Sequence, residues 1–263
     1  MRQIKIILEY EGTAYGGWQR QADIVTIQQV LEEKLAVLLR HPAKVIAAGR
    51  TDAGVHAQGQ VVSFATDATL TLARIRKGLN GLLPRDIAVL EATEAPVGFN
   101  PRRDARGKRY RYLVWNHLAR SPLLRHRAWH VREALNLAAM RAGAKELLGE
   151  HDFSAFRATG CESKTAIRDL RTLEITRCAP DTAAASGGHG GPEEPSLIAF
   201  DLEATAFLRF MVRNIVGTLV EVGLGRRSAS DMIRILEGRD RTQAGQTAPA
   251  QGLTLLCVYY VEG

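Results

Sequence analysis

Between Ile4 and Glu91 the apolar residues change their spacing repeatedly, and this alternation restricts the fold more than any other feature of the chain. Ile4, Ile6, Leu8 and Tyr10 recur at every second residue, as on one face of a strand, while Ile7 puts an apolar group on the other face and predicts burial on both sides. After a turn carrying Gly12, Gly16 and Gly17, Thr26 stands three residues before Gln29 in a capping-box pattern. Ile27, Val30, Leu31, Leu35 and Leu38 then form the stripe of a helix that should stop near His41-Pro42. Short strands are expected at Lys44 to Ala47, Gln60 to Phe64 and Ile87 to Glu91. Between the last two, Thr71 caps a second helix with Leu72, Ile75 and Leu79 on one face, ended by Gly81 and Pro84.

The second half repeats this order. Strands are expected at Arg109 to Asn116, Leu170 to Arg177, Leu197 to Ala204 and Leu253 to Val261. Helices are expected at Ala134 to Leu148, Phe207 to Gly223 and Ala229 to Glu237, the second apolar enough to be buried. The stretch Ala179 to Ser196, rich in Gly, Ala, Pro and Ser, is predicted to be a surface loop without catalytic interest. Segregated strands and helices with short links predict an α+β architecture rather than a doubly wound parallel one, and the repeated order points to two related halves. The expected division is 1–105 and 106–263. No GxGxxG or GxxxxGK[ST] loop follows a strand, which disfavours nucleotide-cofactor folds.

With 263 residues, 46% hydrophobic and 24% charged, the chain has ordinary globular composition. Lysine and arginine outnumber aspartate and glutamate by 35 to 28, and the resulting +7 suits a polyanionic partner. Cys161, Cys178 and Cys257 are odd in number and form no CxxC pair, which argues against a disulfide framework or a four-cysteine zinc site and for a reducing, cytoplasmic compartment. Ile4 to Tyr10 carries Lys5 and Glu9 and no small-residue cleavage site, unlike a secretory signal. The apolar region Leu197 to Leu224 is broken by Asp201, Glu203, Arg209, Arg213 and Glu221, unlike a membrane span.

Three segments carry chemistry. The first is Gly49-Arg50-Thr51-Asp52-Ala53-Gly54-Val55-His56, expected in a loop between strands. A turn alone would use Asp52 and the glycines, but Arg50 beside Asp52 would also keep the carboxylate ionised, and an ionised aspartate on a loop can be a nucleophile. His56 has no partner at metal-ligand spacing and is assigned a structural place only. The second sets Arg102, Arg103, Arg106, Lys108, Arg109 and Arg111 against the single acid Asp104. Strand alternation puts Tyr110 and Tyr112 on one face and Arg109 and Arg111 on the other, so a base could stack on a ring while neighbouring cations hold phosphate. The third is an apolar helix with Arg209 and Arg213 at i and i+4. A buried arginine needs a partner, for which both Asp52 and an ordinary structural acid are candidates.

In this order the segments resemble the tRNA pseudouridine synthase A (TruA) family. The resemblance spans nearly the whole chain: Tyr10-Glu11-Gly12, Gly17-Trp18-Gln19-Arg20-Gln21, GRTDAGVHAQGQVVSF from Gly49 to Phe64, KRYRY from Lys108 to Tyr112, HDFSAF from His151 to Phe156, MVRNIVG from Met211 to Gly217, and Ala250 to Leu253. It implies an α+β fold of two similar halves with a largely antiparallel central sheet and flanking helices, and a homodimer without cofactor or metal, acting on uridines 38, 39 and 40 of the tRNA anticodon arm. It further implies Asp52 as nucleophile, Arg50 as the arginine that helps displace the target base, Tyr110 as the ring stacking on the flipped uracil, and Arg213 as the arginine pairing with the aspartate. The cations Arg102, Arg103, Arg106 and Lys108 are assigned to the RNA. Asn100-Pro101-Arg102 departs from the family's usual His-Ala-Arg and leaves the path into the basic strand open.

The chemistry agrees, because converting uridine to pseudouridine is redox-neutral and requires a base to be flipped out of its stack. Two other readings use the same residues. In a non-catalytic RNA-binding module Asp52 would merely shape a turn. An aspartate phosphotransferase would need a metal and a second carboxylate close by, and none flanks Asp52 in the sequence.

Overall fold

The computed structural model describes residues 1–161, 163–178 and 196–261. They divide into two compact units, Met1–Lys108 with Thr254–Gly263, and Arg109–Leu253. The loop expected at Ala179 to Ser196 lies outside the described residues except for Ser196, which begins a strand.

The first unit opens with β1 (Arg2–Tyr10), whose Ile4, Ile6, Leu8 and Tyr10 are all buried, whereas Ile7 on the opposite face is only half-buried. Helix α1 (Ile27–Leu39) follows, with the Thr26 hydroxyl accepting the Gln29 N–H at 3.4 Å. Only half of the capping box forms, because the Gln29 amide turns outward to Glu33 at 3.0 Å. Ile27, Leu31, Leu35 and Leu39 are buried, and Arg40 in the left-handed region ends the helix where His41-Pro42 predicted. Next come β2 (Ile46–Ala47), β3 (His56–Thr66), α2 (Leu72–Leu82) and β4 (Ile87–Ala95). Helix α2 ends at Leu83 in an extended conformation, which Pro84 imposes on the residue before it; Gly81 lies inside the helix.

In the second unit β5 (Gly107–Asn116), β6 (Trp129–Val131), α3 (Leu137–Lys145), β7 (Gly149–Asp152), β8 (Ile167–Cys178) and β9 (Ser196–Ala204) precede the helices α4 (Met211–Gly223) and α5 (Asp231–Gly238). The order β5-β9-β8-β7 runs across this unit, with β7, β8 and β9 antiparallel and β6 parallel to β5. Helix α3 starts later than expected because Asn136 caps it, its side chain accepting the Ala139 N–H at 3.0 Å. Helix α4 also starts later: Phe210 sits at φ 65°, so Phe207 to Phe210 cannot join the helix. From Met211 onward almost every residue of α4 is buried, as its composition predicts.

The last strand, β10 (Leu253–Tyr259), returns to the first unit and lies parallel to β3, with Thr254 opposite His56 and Leu255 opposite Ala57. The order there is β4-β1-β3-β10, with β1 antiparallel to both β3 and β4. Both units are therefore α+β, built on mostly antiparallel strands.

Candidate active site

The segment from Gly49 to Val55 is a loop between β2 and β3, and its corner is a turn. The Val55 N–H donates to the Asp52 carbonyl at 3.1 Å, and Gly54 takes φ 77°. A positive φ at the third position is what a type II turn requires, and glycine supplies it without strain. Asp52 is half-buried while Arg50 is exposed.

Buried groups hold this loop from beneath. The Trp18 N–H donates to the Thr51 carbonyl at 2.9 Å, and the Tyr10 and Thr51 hydroxyls share a hydrogen bond at 2.8 Å. The Gln60 amide donates to the Gly49 carbonyl at 2.8 Å, and the Lys108 ammonium donates to the Ala48 carbonyl at 2.8 Å. Gly17, at φ 93°, lies so close that a Cβ there would stand 2.7 Å from the Thr51 carbonyl oxygen. Burial pushes the Tyr10 phenol up to about 12, against the smaller opposing effects of Thr51 and Gln60, so this strut stays neutral.

His56 is 1% exposed and its Nδ1 accepts the Gly12 N–H at 3.0 Å, which puts the ring proton on Nε2. The histidine thus ties the glycine turn after β1 to the start of β3.

The basic entry to β5 follows a defined path in spite of Pro101. Asn100 accepts the Arg102 and Arg103 N–H groups on its side-chain oxygen at 3.0 and 3.1 Å, and Asp104 accepts the Asn100 N–H at 2.8 Å. Proline fits here because its fixed φ suits a position just inside a turn and its carbonyl is used, accepting the Tyr260 hydroxyl at 2.9 Å. Arg102, Arg103 and Arg106 are exposed. The Arg103 guanidinium lies against Asp104 at 2.8 Å and holds that carboxyl below its usual range, with the Asn100 N–H assisting.

In the second unit Tyr110 and Tyr112 share a buried face of β5, as alternation predicts. Tyr110 meets Phe207 edge-on, with ring centres 5.0 Å apart. Tyr112 is fully buried, donates to the Pro249 carbonyl at 2.7 Å, and its ring would clash at 2.5 Å with a Cβ on Gly252. On the other face the Arg111 fork binds Asp201 through two 2.9 Å hydrogen bonds and Arg109 approaches the same carboxylate at 3.9 Å, so these cations serve a buried acid as well as any solvent-side anion.

Arg213 lies in the first turn of α4, half-buried, with Nε donating to the Ala248 carbonyl at 2.7 Å. Its guanidinium sits 4.7 Å from the centre of the Phe210 ring, and that of Arg209 lies 5.0 Å from the same ring. Arg209 stands outside the helix, so the expected i and i+4 pairing is replaced by two cations on one aromatic ring. Among the described residues no group of three His, Cys, Asp or Glu side chains is placed to hold a metal ion.

The struts Tyr10, Gln60 and Lys108 escape sequence reasoning, since no local pattern joins residues so far apart. Gln60 is completely buried, next to the apolar pair Val61-Val62, but nothing in its neighbourhood, which also holds Gln58 and Ser63, marks it out.

Comparison with known proteins places these residues in context. The family model described as tRNA pseudouridine synthase matches residues 6–102 and 144–261. The chain is 49% identical over its full length to a Myxococcus xanthus protein named tRNA pseudouridine synthase A, covering 94% of it. It is 45% identical to the protein of that name from Geotalea uraniireducens, covering 99% of this chain and all of the relative, and 48% identical to that from Geobacter sulfurreducens, covering 97% and 98%. Asp52 and Arg213 fall inside the matched family segments; Tyr110 falls between them.

Proposed function

The chain belongs to the tRNA pseudouridine synthase family and is an isomerase of that family; from this premise we propose that it converts uridines 38, 39 and 40 of the tRNA anticodon arm to pseudouridine, as a cytoplasmic homodimer. The observation that carries the reading is the presentation of Asp52: a half-buried carboxylate at the corner of a turn, with the backbone leading into that turn held at Thr51, Gly49 and Ala48 by Trp18, Gln60 and Lys108.

The reaction breaks the N1–C1′ glycosidic bond, turns the uracil while it stays bound, and joins C5 to C1′. The C5 proton leaves and N1 gains one, so the product is an isomer and no electrons are exchanged. Asp52 acts as the nucleophile. Addition to uracil C6, attack at ribose C1′ and a route through a glycal each employ a single aspartate. A rigid loop lowers the cost of placing that group correctly. Arg50, exposed beside it, helps displace the base, while the cation of Arg213 favours the ionised carboxylate. Tyr110 is the stacking platform for the extruded uracil, since an aromatic face receives a base irrespective of its pairing edge. Arg102, Arg103, Arg106 and Lys108 supply positive charge to the RNA backbone, Arg103 and Lys108 less freely than the others because Asp104 and Ala48 engage them.

The test is incubation with unmodified tRNA carrying tritium at uracil C5. Pseudouridine formation must release the label to water, at a rate set by enzyme concentration. Binding without release would leave an RNA-binding module and overturn the catalytic reading.

A further inference from the structure

An open cleft of about 310 Å³ lies wholly within the second unit, between the turn at Ser154–Phe156 with the residues that follow it and the segment Arg239 to Arg241. Its charge is unbalanced. Arg157 is half-buried and acts on the Asp152 carboxylate through space, helping to hold it below its usual range behind the larger effect of Ser154. Arg241 reaches only neutral groups: the Asn214 amide oxygen at 3.1 Å, the Thr247 hydroxyl at 3.0 Å and the Ala244 carbonyl at 3.3 Å. Arg239 approaches Asp152 at a loose 3.5 Å. The acids nearby are turned to other donors: Asp240 takes the N–H and hydroxyl of Thr242 at 2.9 and 2.7 Å, and Asp152 takes the Ser154 N–H at 2.9 Å. Among the described residues Arg241 is thus left without a carboxylate, while Arg157 and Arg239 share the single carboxylate of Asp152.

The cleft is also built rather than incidental. Asn214, fully buried in α4, donates to the Phe156 carbonyl at 2.8 Å and accepts from Arg241, so a single amide fixes both walls. Guanidinium groups held apart from carboxylates and kept in place by neutral acceptors bind phosphate oxygens through charge-assisted hydrogen bonds.

We propose that the cleft bounded by Arg157, Arg239 and Arg241 is a second RNA subsite, holding a backbone phosphodiester of the tRNA at a nucleotide other than the uridine being isomerised. The proposal rests on tRNA being the substrate. Its role is affinity and register, not chemistry, because phosphate contacts position an RNA without acting on a base.

The experiment compares the full-length protein with Arg157→Gln and with Arg157→Gln/Arg239→Gln, measuring tRNA affinity at several salt concentrations and tritium release at saturating tRNA. The double variant should bind about tenfold more weakly, with the slope of log affinity against log salt smaller by about 1 to 2, while saturating turnover stays near wild type. Arg157→Gln removes only a through-space partner of Asp152, and a Tm equal to wild type separates its loss of affinity from misfolding. If both variants keep the wild-type affinity and slope, the proposal is overturned. It is equally overturned if inorganic phosphate raises the Tm of the wild type alone while the variants bind tRNA normally, which would make the cleft a site for a free anion. Should the wild type release no tritium from any tRNA, the isomerase reading fails, yet the salt slopes still report on this cleft.

Discussion

Arg213 and Ala248 hold each other twice: the Arg213 Nε donates to the Ala248 carbonyl at 2.7 Å, and the Ala248 N–H donates back to the Arg213 carbonyl at 3.1 Å. With the Phe210 ring 4.7 Å from the guanidinium carbon, the direction of the side chain is fixed. Arg213→Lys retains the charge but loses the planar fork that engages the Ala248 carbonyl and leaves further N–H groups for the proposed carboxylate. Turnover is expected to fall at least 100-fold with Tm nearly unchanged, and Arg213→Leu should abolish it. Wild-type turnover in the lysine variant would reduce Arg213 to a point charge.

Asp52→Asn conserves volume and removes the charge of the proposed nucleophile. Tritium release should vanish while tRNA affinity changes little. Turnover within about tenfold of wild type, roughly 1.4 kcal/mol of barrier, would remove Asp52 from the chemistry.

Gly17 supports the Asp52 loop through space that only hydrogen can occupy. Gly17→Ala adds strain at φ 93° to a 2.7 Å clash with the Thr51 carbonyl, so a loss of about 1 to 3 kcal/mol is expected by urea titration. The loop must shift to relieve the clash, and turnover should fall more than tRNA affinity does. A variant with unaltered stability and turnover would show that the loop yields freely.

The two tyrosines of β5 separate by what each hydroxyl does. Tyr112→Phe leaves the Pro249 carbonyl without its donor, at a cost of about 1 kcal/mol in Tm-derived stability. Tyr110→Phe keeps the ring and should preserve tRNA binding; a large fall in tritium release would place its hydroxyl in proton transfer. Tyr110→Ala should damage both. If Tyr110→Ala turned over normally and a folded Tyr112→Ala did not, the platform would be the other ring.

Tyr10 makes stability depend on alkaline pH. Its folded value of about 12 stands above the unfolded value near 10, so the unfolded chain loses its proton first. The contribution is complete below pH 10 and is lost as pH rises through 12, roughly 2 to 3 kcal/mol in all. Urea midpoints between pH 9 and 12 should therefore fall less steeply in Tyr10→Phe than in wild type. Identical slopes would show that other tyrosines carry the whole effect.

Local chemistry was legible in the sequence and long-range bracing was not. Period and capping place α1 and α2 well, because Thr26, Thr71 and Pro84 act on their immediate neighbours. The turn at Asp52 was equally plain, since Gly54 answers a requirement within four residues. The start of α4 was hidden because hydrophobic periodicity continues through Phe207 and Leu208 and says nothing about a left-handed Phe210. Lys108 was read as a cation for RNA; its bond to Ala48 joins residues 60 positions apart, a pairing that only the tertiary fold creates.

The parallel pairing of β10 with β3 also has a bearing on biosynthesis. Thr254 and Leu255 lie beside His56 and Ala57, immediately after the loop that presents Asp52. A ribosome translates β3 long before β10, so while β2 covers Val62 and Ser63 on the edge away from β1, the start of that edge at His56 and Ala57 waits unmatched as the intervening residues emerge. Contacts of such high sequence separation form slowly. A nascent chain stalled before Thr254 would therefore carry every candidate catalytic residue and still lack the strand beside the loop that presents Asp52, and competence would arrive abruptly with β10 rather than grow with length.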